Sequence, residues 1–265
     1  MISSLSNSKV KHIRKLKDKR YRRDTGEYYI EGIRIFGEAV QNNADIQTII
    51  YAPELLTSEF CYQLINSFAH TDRVIQVSKE VFQSISKKEN PQGIGAILKQ
   101  DWIDLNEIII GNVGIWLALD SVQDPGNLGT ILRTSDAVGV ETIIMLDNSS
   151  DPYDISSIRA SMGSIFNHKL VRCNFGEFEK WIRSNKLSVI GTSDSAESDY
   201  CRYEYPQQVI LLMGSEKQGL QKKHFELCQD VVKIPMVGRS DSLNLSVATS
   251  IVLYEMFNQR RCKIE

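Results

Sequence analysis

The chain has 265 residues, which is more than one typical domain of about 150 residues and enough for two compact cores. Its hydrophobic fraction of 42% and charged fraction of 24% are those of an ordinary globular protein and exclude a disordered or collagen-like chain. No apolar run is long enough to predict a membrane span, and the first fifteen residues lack the apolar centre of a secretory signal. Five cysteines without C-x-x-C spacing predict reduced thiols in the cytoplasm, with neither disulfides nor a metal site.

The net charge of −2 conceals a strongly basic segment over residues 9–23. These fifteen residues hold nine lysines and arginines against the single acid Asp18, so the rest of the chain is acidic. Such a segment predicts a binding element for a polyanion, and a solvated helix face is the alternative that charge alone leaves open. A membrane-surface helix is disfavoured, because Val10, Ile13 and Leu16 form only a narrow apolar stripe.

The first hundred residues alternate strand and helix patterns, which predicts a small α/β domain. Helices are predicted over 8–20, 33–40, 57–69 and 79–85, and strands over 28–30, 46–51, 73–77 and 94–98. Asp24, Thr25 and Gly26 are expected to break the first helix. We place domains at 1–100 and 113–265, joined by a mixed, irregular linker over 101–112.

The second domain shows continuous apolar runs, which are typical of parallel strands buried on both faces. Strands are predicted over 115–119, 142–146, 187–192, 209–213 and 231–234, and helices over 127–138, 175–185, 218–228 and 243–261. Ligands bind beyond the carboxyl ends of the strands in such sheets.

Three of these strands end in loops of unusual composition. They are the stretches DSVQDPGNLG at 120–129, GSEKQG at 214–219 and PMVGRSDSLN at 235–244. Glycines allow the backbone to approach a ligand closely, and free loop amides bind its polar groups. The second loop is not a P-loop, since Leu220 stands where that motif needs lysine, and the first lacks the G-x-G-x-x-G pattern of dinucleotide domains.

The last predicted helix is apolar on two faces. Leu245, Ala248, Val252 and Met256 form one face, and Val247, Ile251 and Tyr254 form the other. A helix of this kind needs two partners, which predicts a homodimer through this helix. Complete burial within one chain is the alternative.

Together the three loops resemble the motifs of the SpoU-type RNA ribose 2′-O-methyltransferases of the SPOUT superfamily. The matching stretches are DPGNLGTILR at 124–133, LLMGSEKQGL at 211–220, and IPM at 234–236 with SLNLSVA at 242–248. The stretch IRASMGSIF at 158–166 resembles the family's linking segment. In the first domain, YIEG at 29–32 and PQG at 91–93 are similar to its ribosomal-protein-like substrate-binding domain.

This resemblance implies an α/β fold whose C-terminal parallel sheet carries a deep trefoil knot, and S-adenosylmethionine as the methyl donor. It implies Arg133, Asn127, Glu216 and Asn244 as catalytic residues, and Met213, Gly214, Ile234, Met236, Leu243 and Ser242 as cofactor-binding residues. No metal is implied. The basic segment would then hold RNA phosphates through Lys9, Lys11, Arg14, Lys15, Lys19, Arg20, Arg22 and Arg23.

The expected reaction is methylation of a ribose 2′-hydroxyl in structured RNA, with ribosomal RNA favoured over transfer RNA. We expect Arg133 to bind the neighbouring phosphate and the developing alkoxide, with Asn127 and Asn244 orienting Arg133 and the ribose. Two other classes remain open: a nonenzymatic RNA-binding protein with a degenerate methyltransferase domain, and a nucleotide-dependent oxidoreductase. The intact site positions count against the first, and the missing glycine pattern counts against the second.

Overall fold

The computed structural model describes residues 1–239 and 241–262 of the chain, so the predicted end of the second domain lies outside the described residues. The strands are β1 (Glu27–Glu31), β2 (Ile46–Tyr51), β3 (Val74–Gln76), β4 (Ile94–Lys99), β5 (Trp102–Ile103), β6 (Gly114–Asp120), β7 (Thr142–Leu146), β8 (Lys169–Cys173), β9 (Ser188–Thr192), β10 (Ser198–Asp199), β11 (Gln208–Met213) and β12 (Asp230–Lys233). The α-helices are α1 (Ser8–Lys15), α2 (Lys19–Thr25), α3 (Ile33–Gln41), α4 (Glu59–Asn66), α5 (Lys79–Ile85), α6 (Pro125–Ala137), α7 (Ile155–Ser161), α8 (Phe175–Asn185), α9 (Lys222–Leu227) and α10 (Leu245–Arg261).

The first unit comprises Met1–Gln100 together with Asp151–Phe166. Its four-stranded sheet has the order β1-β4-β2-β3, with β4 antiparallel to both neighbours and β3 parallel to β2. The narrow stripe of α1 packs into a core that also takes side chains from α5 and the sheet, so the basic residues of α1 are left on its outer face.

The second unit comprises Asp101–Ser150 and Asn167–Glu265, with the described part ending at Cys262. Its eight strands run parallel in the order β10-β12-β9-β11-β6-β7-β8-β5. Alternate residues of β6, β7 and β11 form one core with Phe178 and Trp181 of α8, as the two-residue period of a strand requires. Since the sheet is parallel, the carboxyl ends of β6, β9, β11 and β12 meet at one edge.

The domain boundaries differ from those expected at two places. The predicted linker contains β5, which pairs with β8, and its Ile108 joins the core of the second unit. Residues 151–166 interrupt the second unit and belong to the first, where Ile155 enters the core and Tyr153 packs on Tyr28 with ring centroids 4.5 Å apart. Both segments are placed by contacts with apolar side chains that are distant in the sequence. The local hydrophobic pattern carries no information about such contacts.

The single helix predicted over 8–20 is two helices. The side chain of Asp18 accepts a hydrogen bond from the Tyr21 N–H at 2.8 Å and caps the start of α2. Helix α2 then continues through Asp24 and Thr25, which were expected to break it, and ends at Gly26 in the left-handed conformation. A capping acid inside a basic run marks a helix start more strongly than the charge pattern suggests.

Arg22, predicted to bind RNA, is instead a buried structural residue with 2% of its surface exposed. Its guanidinium donates to Asp151 at 2.7 Å and Asp154 at 3.3 Å, and also to the carbonyls of Leu16 and Lys17. Four of its five N–H donors are engaged within the first unit and the side chain is buried, so it is not accessible to an RNA phosphate. Burial of an arginine beside two carboxylates requires this pairing.

We expect Arg22→Ala to lower the free energy of unfolding by about 3 kcal/mol, because it leaves two mostly buried carboxylates, 10% and 24% exposed, without their partner. Arg23→Ala is the matched control: this side chain is 67% exposed and its nearest carboxylate, that of Asp24, is 3.9 Å away. Urea denaturation of both variants measures the difference. Equal midpoints for the two variants would contradict the assignment.

Candidate functional site

A cavity of about 960 Å³ lies at the carboxyl edge of the parallel sheet, within the second unit. The loops that follow β6, β9, β11 and β12 form its wall, together with the first turn of α10. All three motif loops therefore converge on one space. Nine of the ten catalytic and cofactor-binding positions inferred from the resemblance line it: Asn127, Met213, Gly214, Glu216, Ile234, Met236, Ser242, Leu243 and Asn244.

The carboxylate of Glu216 holds the first and second motif loops together. It accepts hydrogen bonds from the backbone N–H groups of Gln123 at 3.0 Å and Asp124 at 3.2 Å, and from the Asn127 side-chain amide at 3.4 Å. Partial burial opposes ionisation, but these donors outweigh it and lower the pKa of Glu216 below its ordinary value. Glu216 is therefore ionised at neutral pH and acts as an acceptor.

The third loop joins the same network through two asparagines. The Nδ2 of Asn244 donates to the Oδ1 of Asn127 at 2.9 Å. Asn244 also caps α10 by accepting from the N–H of Ser246 at 2.9 Å, and Asn127 lies in the first turn of α6, where its own N–H donates to the cap Asp124 at 2.7 Å. Each asparagine is thus fixed by a helix start, so the network is set by backbone geometry.

Close backbone approach in the second loop explains one glycine. A Cβ on Gly214 would lie about 2.2 Å from the backbone carbonyl of Gly219, a distance that real side chains do not show. Ser215 and Gly219 pair as an isolated antiparallel bridge, and Gly219 has a φ of +59°. The chain therefore folds back on itself at the cavity wall, and only glycine at 214 allows it.

The cavity lining carries more acidic than basic groups. Asp124, Asp194, Glu216 and Asp241 line it, against Lys217 alone. Apolar surface comes from Met213, Ile234, Met236, Leu243 and Leu245. A mixed wall of this kind with an acidic balance suits a ligand that has an apolar body and carries positive charge.

Arg133, the fourth predicted catalytic residue, is exposed on α6 and does not line the cavity. Six residues separate it from Asn127, which places its Cα about 9 Å further along the helix axis. Within the part of the chain that the structure describes, neither Asn127 nor Asn244 bonds to it; they bond to each other. The Arg133 side chain is exposed to solvent.

The Thr192-Ser193-Asp194 segment also lines the cavity, although the sequence had not led us to expect it there. Thr192 donates to the sulfur of Met213 at 3.4 Å. The predictive signal was present, since Thr192 ends the strand predicted over 187–192 and the polar residues Ser193 and Asp194 follow it directly. The position of β9 between β11 and β12 brings them to the site, and that order is not readable from one sequence.

A buried pair of polar side chains, Asp120 and His224, lies at the same edge of the sheet outside the cavity lining. Asp120, the last residue of β6, lies 2.5 Å from the Nε2 of His224 on α9, and its pKa is lowered because hydrogen bonds from His224 and Ser121 outweigh the cost of burial. The Nδ1 of His224 accepts from the N–H of Gln221, which leaves the proton on Nε2. His224 is 1% exposed, and pairing with Asp120 explains its burial.

The remaining basic positions of the segment 9–23 lie on the first unit. Lys9, Lys11, Lys15, Lys19, Arg20 and Arg23 are exposed. Arg14 is half-buried and donates to the Leu5 carbonyl at 3.2 Å and to Ser84 at 2.7 Å. Most of the segment is therefore available to a polyanion, with Arg22 excluded and Arg14 already engaged.

Within the described ranges, no group of three or more His, Cys, Asp or Glu side chains is placed to hold a metal ion. A search of the same residues also finds no helix that combines the length and apolar character needed to cross a bilayer.

Comparison with known families decides the identity of the fold. The SpoU rRNA Methylase family model matches residues 114–254, more than half of the chain, and the MRM3-like substrate binding domain matches residues 7–96. The chain belongs to the SpoU rRNA methylase family.

Relatives within the SpoU family align over nearly the whole chain. The 23S rRNA (guanosine(2553)-2'-O)-methyltransferase RlmP of Bacillus subtilis is 28% identical, over 96% of this chain and 98% of the relative. The 23S rRNA (uridine(2479)-2'-O)-methyltransferase of Streptomyces viridochromogenes is 29% identical, over 89% of this chain and 84% of the relative. Both relatives are named as 2′-O-methyltransferases of 23S ribosomal RNA.

Solved SpoU structures confirm the predicted α/β class with a parallel sheet. The AdoMet-bound rRNA methyltransferase from Sinorhizobium meliloti is 35% identical with a TM-score of 0.88, over 98% of this chain and 97% of that one. AviRb from Streptomyces viridochromogenes, in complex with AdoMet, is 27% identical with a TM-score of 0.87, over 96% and 98% of the two chains. Both units are thus represented in each neighbour.

Proposed function

We propose that this chain transfers a methyl group from S-adenosylmethionine to a ribose 2′-hydroxyl in structured RNA, with ribosomal RNA as the favoured substrate. The observation that carries the proposal is the single cavity where Asn127, Glu216 and Asn244 form one hydrogen-bond network across the three motif loops. A degenerate, nonenzymatic domain would have no reason to keep this network intact.

The residues of the cavity fit S-adenosylmethionine. A sulfonium and an ammonium group give this molecule two positive charges, which the four lining carboxylates favour. The cavity volume of about 960 Å³ is at the upper end of the range for ordinary ligand sites, which is about 300–1,000 Å³. We assign the cofactor to the wall formed by Met213, Gly214, Ile234, Met236, Ser242 and Leu243.

The bound cofactor would supply an activated methyl group for in-line attack by the ribose oxygen, in which the new C–O bond forms as the C–S bond breaks. Holding the two reactants in line can supply roughly 7–11 kcal/mol of the barrier. Asn127, Glu216 and Asn244 fix the loops that set this alignment. Methyl transfer also requires loss of the 2′-proton.

Arg133 is assigned to the RNA side of the reaction. A guanidinium keeps its proton at neutral pH and is a poor base, so a phosphate oxygen or water takes the proton. The guanidinium would bind the neighbouring phosphate and lower the energy of the developing alkoxide. Its exposed position outside the cavity supports contact with RNA and not with the cofactor.

Two measurements test the proposal. Calorimetry with S-adenosylmethionine and with its demethylated product should show heat of binding, and 2′-O-methyl mapping of total RNA with and without the protein should reveal a new modified position. If only transfer RNA were methylated, transfer RNA and not ribosomal RNA would be the substrate. No binding of either cofactor form would overturn the function.

We also infer that α10 pairs with α10 of a second copy. Val247 and Tyr254 are 47% and 46% exposed, while Val252, Leu253 and Met256 on its other side are buried. One apolar face therefore packs within the chain and the other does not. The trefoil knot and the cytoplasmic location remain predictions beside this one.

Sedimentation of the protein at micromolar concentration is expected to show a dimer, and the double variant V247E/Y254E is expected to be a monomer because two carboxylates would enter an apolar interface. Lys180→Glu, an exposed change on α8, is the control and should stay dimeric. A wild-type monomer that retains activity would contradict the inference.

A further inference from the structure

The first unit contains a second cavity, of about 750 Å³, at the start of α3. Its rim joins three separate segments: Gly32 and Arg34 at the β1–α3 junction, Lys88 and Gln92 in the loop before β4, and Arg159 on α7. We call it the α3 cleft. All of its lining residues belong to the first unit, and none of them is in the basic segment 9–23.

Three cations converge on the α3 cleft without acidic partners. Arg34 and Arg159 are exposed and Lys88 is half-buried. Across residues 1–239 and 241–262, none of the three forms a salt bridge. Neighbouring surface cations in a concave site repel one another unless an anion lies between them, so this arrangement favours an anionic ligand.

Glu31 is the acidic residue of the lining, and it is already engaged. It is 1% exposed, and its two carboxylate oxygens accept hydrogen bonds from the Ser86 hydroxyl at 2.6 Å and from the Lys87 N–H at 3.3 Å. The carboxylate thus anchors the loop that carries Lys88. Since Glu31 is the one acid against three cations in the lining, the cleft keeps a net positive charge.

Positive charge continues from this loop toward α1. The pKa of Lys17 is lowered, first by partial burial and then by the nearby charges of Lys87 and Arg14, while Glu31 acts in the opposite direction. Like charges are therefore close enough to oppose one another across this side of the unit. A polyanion that spans the surface would relieve this repulsion.

Gly32 gives the cleft its depth. It has a φ of +114°, and a Cβ there would lie 2.9 Å from the Nζ of Lys88 and 3.2 Å from the Oε1 of Gln92. Gln92 accepts from the N–H of Ile33 at 3.1 Å and so fixes the loop against the start of α3. The next amides of the first helical turn have no acceptor within the helix, and they add favourable positive potential.

We propose that the α3 cleft binds a phosphodiester of the substrate RNA at an unpaired segment. Arg34 and Arg159 would hold the phosphate oxygens through paired N–H donors and Lys88 would add a point charge. Ile33, Ala160 and Met162 supply apolar lining for the attached nucleoside. Proteins read RNA mainly at such unpaired segments, where bases are accessible. This inference rests on the proposed function, since it takes RNA as the substrate.

The test is RNA binding by the double variant R34Q/R159Q, with K79Q/K180Q as a control of equal net charge at exposed positions outside both cavities. An in vitro transcript of 23S ribosomal RNA and a single-stranded oligonucleotide are the probes. We expect R34Q/R159Q to bind about tenfold more weakly near 0.15 M salt, with a salt slope shallower by about 1.4. The control removes the same two positive charges, so any weakening that it shows measures the effect of net charge alone. Apart from that effect, we expect its RNA affinity and salt slope to equal those of the wild type.

Calorimetry with S-adenosylmethionine and thermal melting establish that the variant is folded, and both should match the wild type. RNA binding equal to that of K79Q/K180Q would overturn the inference while leaving the proposed function intact. Loss of RNA binding in R34Q/R159Q, with no methyl transfer by the wild type, would support the cleft and overturn the proposed function. Binding of inorganic phosphate that depends on these arginines, without RNA binding by the wild type, would show a free-anion site and overturn the inference.

Discussion

Arg133→Ala is expected to abolish measurable methyl transfer, a loss of at least about a hundredfold in kcat, while cofactor affinity stays within a few fold of wild type. Removing one donor that stabilises a developing oxyanion costs about a hundred- to a thousandfold. The affinity is preserved because Arg133 does not line the cofactor cavity. Single-turnover methyl transfer measures the first quantity and calorimetry measures the second.

Two further variants sharpen this result. Arg133→Lys keeps the charge but loses the paired donors, so it should recover only part of the activity. Arg183→Ala removes an exposed arginine on α8 that pairs with Glu179 at 2.7 Å, and it should behave as wild type. Substantial turnover by Arg133→Ala would refute the assigned role. If Arg133→Ala lost cofactor affinity by the same factor as methyl transfer, Arg133 would contact the cofactor and not the RNA.

Gly214→Ala is expected to weaken S-adenosylmethionine binding by about a hundredfold or more. Its Cβ would meet the backbone of Gly219 at about 2.2 Å, and a backbone contact cannot be relieved by a rotamer change. Overpacking of this kind costs about 3 kcal/mol at the upper end of the usual range, which corresponds to about a hundredfold in affinity. The loop would have to move away from the cavity wall that it forms.

The control is Gly238→Ala in the third motif loop, where a Cβ would meet nothing within 4 Å. It should bind the cofactor like the wild type. Near-UV circular dichroism distinguishes a displaced loop from a failure to fold, because Trp116 and Trp181 report on the core of the second unit. Wild-type affinity in a folded Gly214→Ala variant would show that this loop does not form the cofactor site.

The positions of the motif loops could be predicted from the sequence because each follows an apolar run. The runs that became β6, β11 and β12 are buried in a parallel sheet, and parallel strands place their carboxyl ends at one edge. This geometry brings Asn127, Glu216 and Asn244 within hydrogen-bond distance of one another, although we had expected the two asparagines to orient Arg133. Local composition was sufficient to locate these loops, because polar and glycine residues directly follow each apolar run.

The same reasoning fails where a side chain's partner is distant in sequence. Arg22 looks like its basic neighbours, yet Asp151 and Asp154, about 130 positions later, make it a buried structural residue. Arg34, Lys88 and Arg159 are unremarkable one by one, and only folding of the first unit brings them to one cleft.

By itself, the sequence determined the parallel α/β architecture and the three loops, because periodicity and glycine placement act locally along the chain. Its resemblance to the SpoU family, and not periodicity, pointed to nine residues that line the cavity. Only the tertiary structure decided that residues 151–166 belong to the first unit, that β9 brings Thr192 to the cavity, and that Arg133 stands outside it. These features depend on strand order and on packing between distant segments, and they are settled by the total burial and pairing of the folded chain.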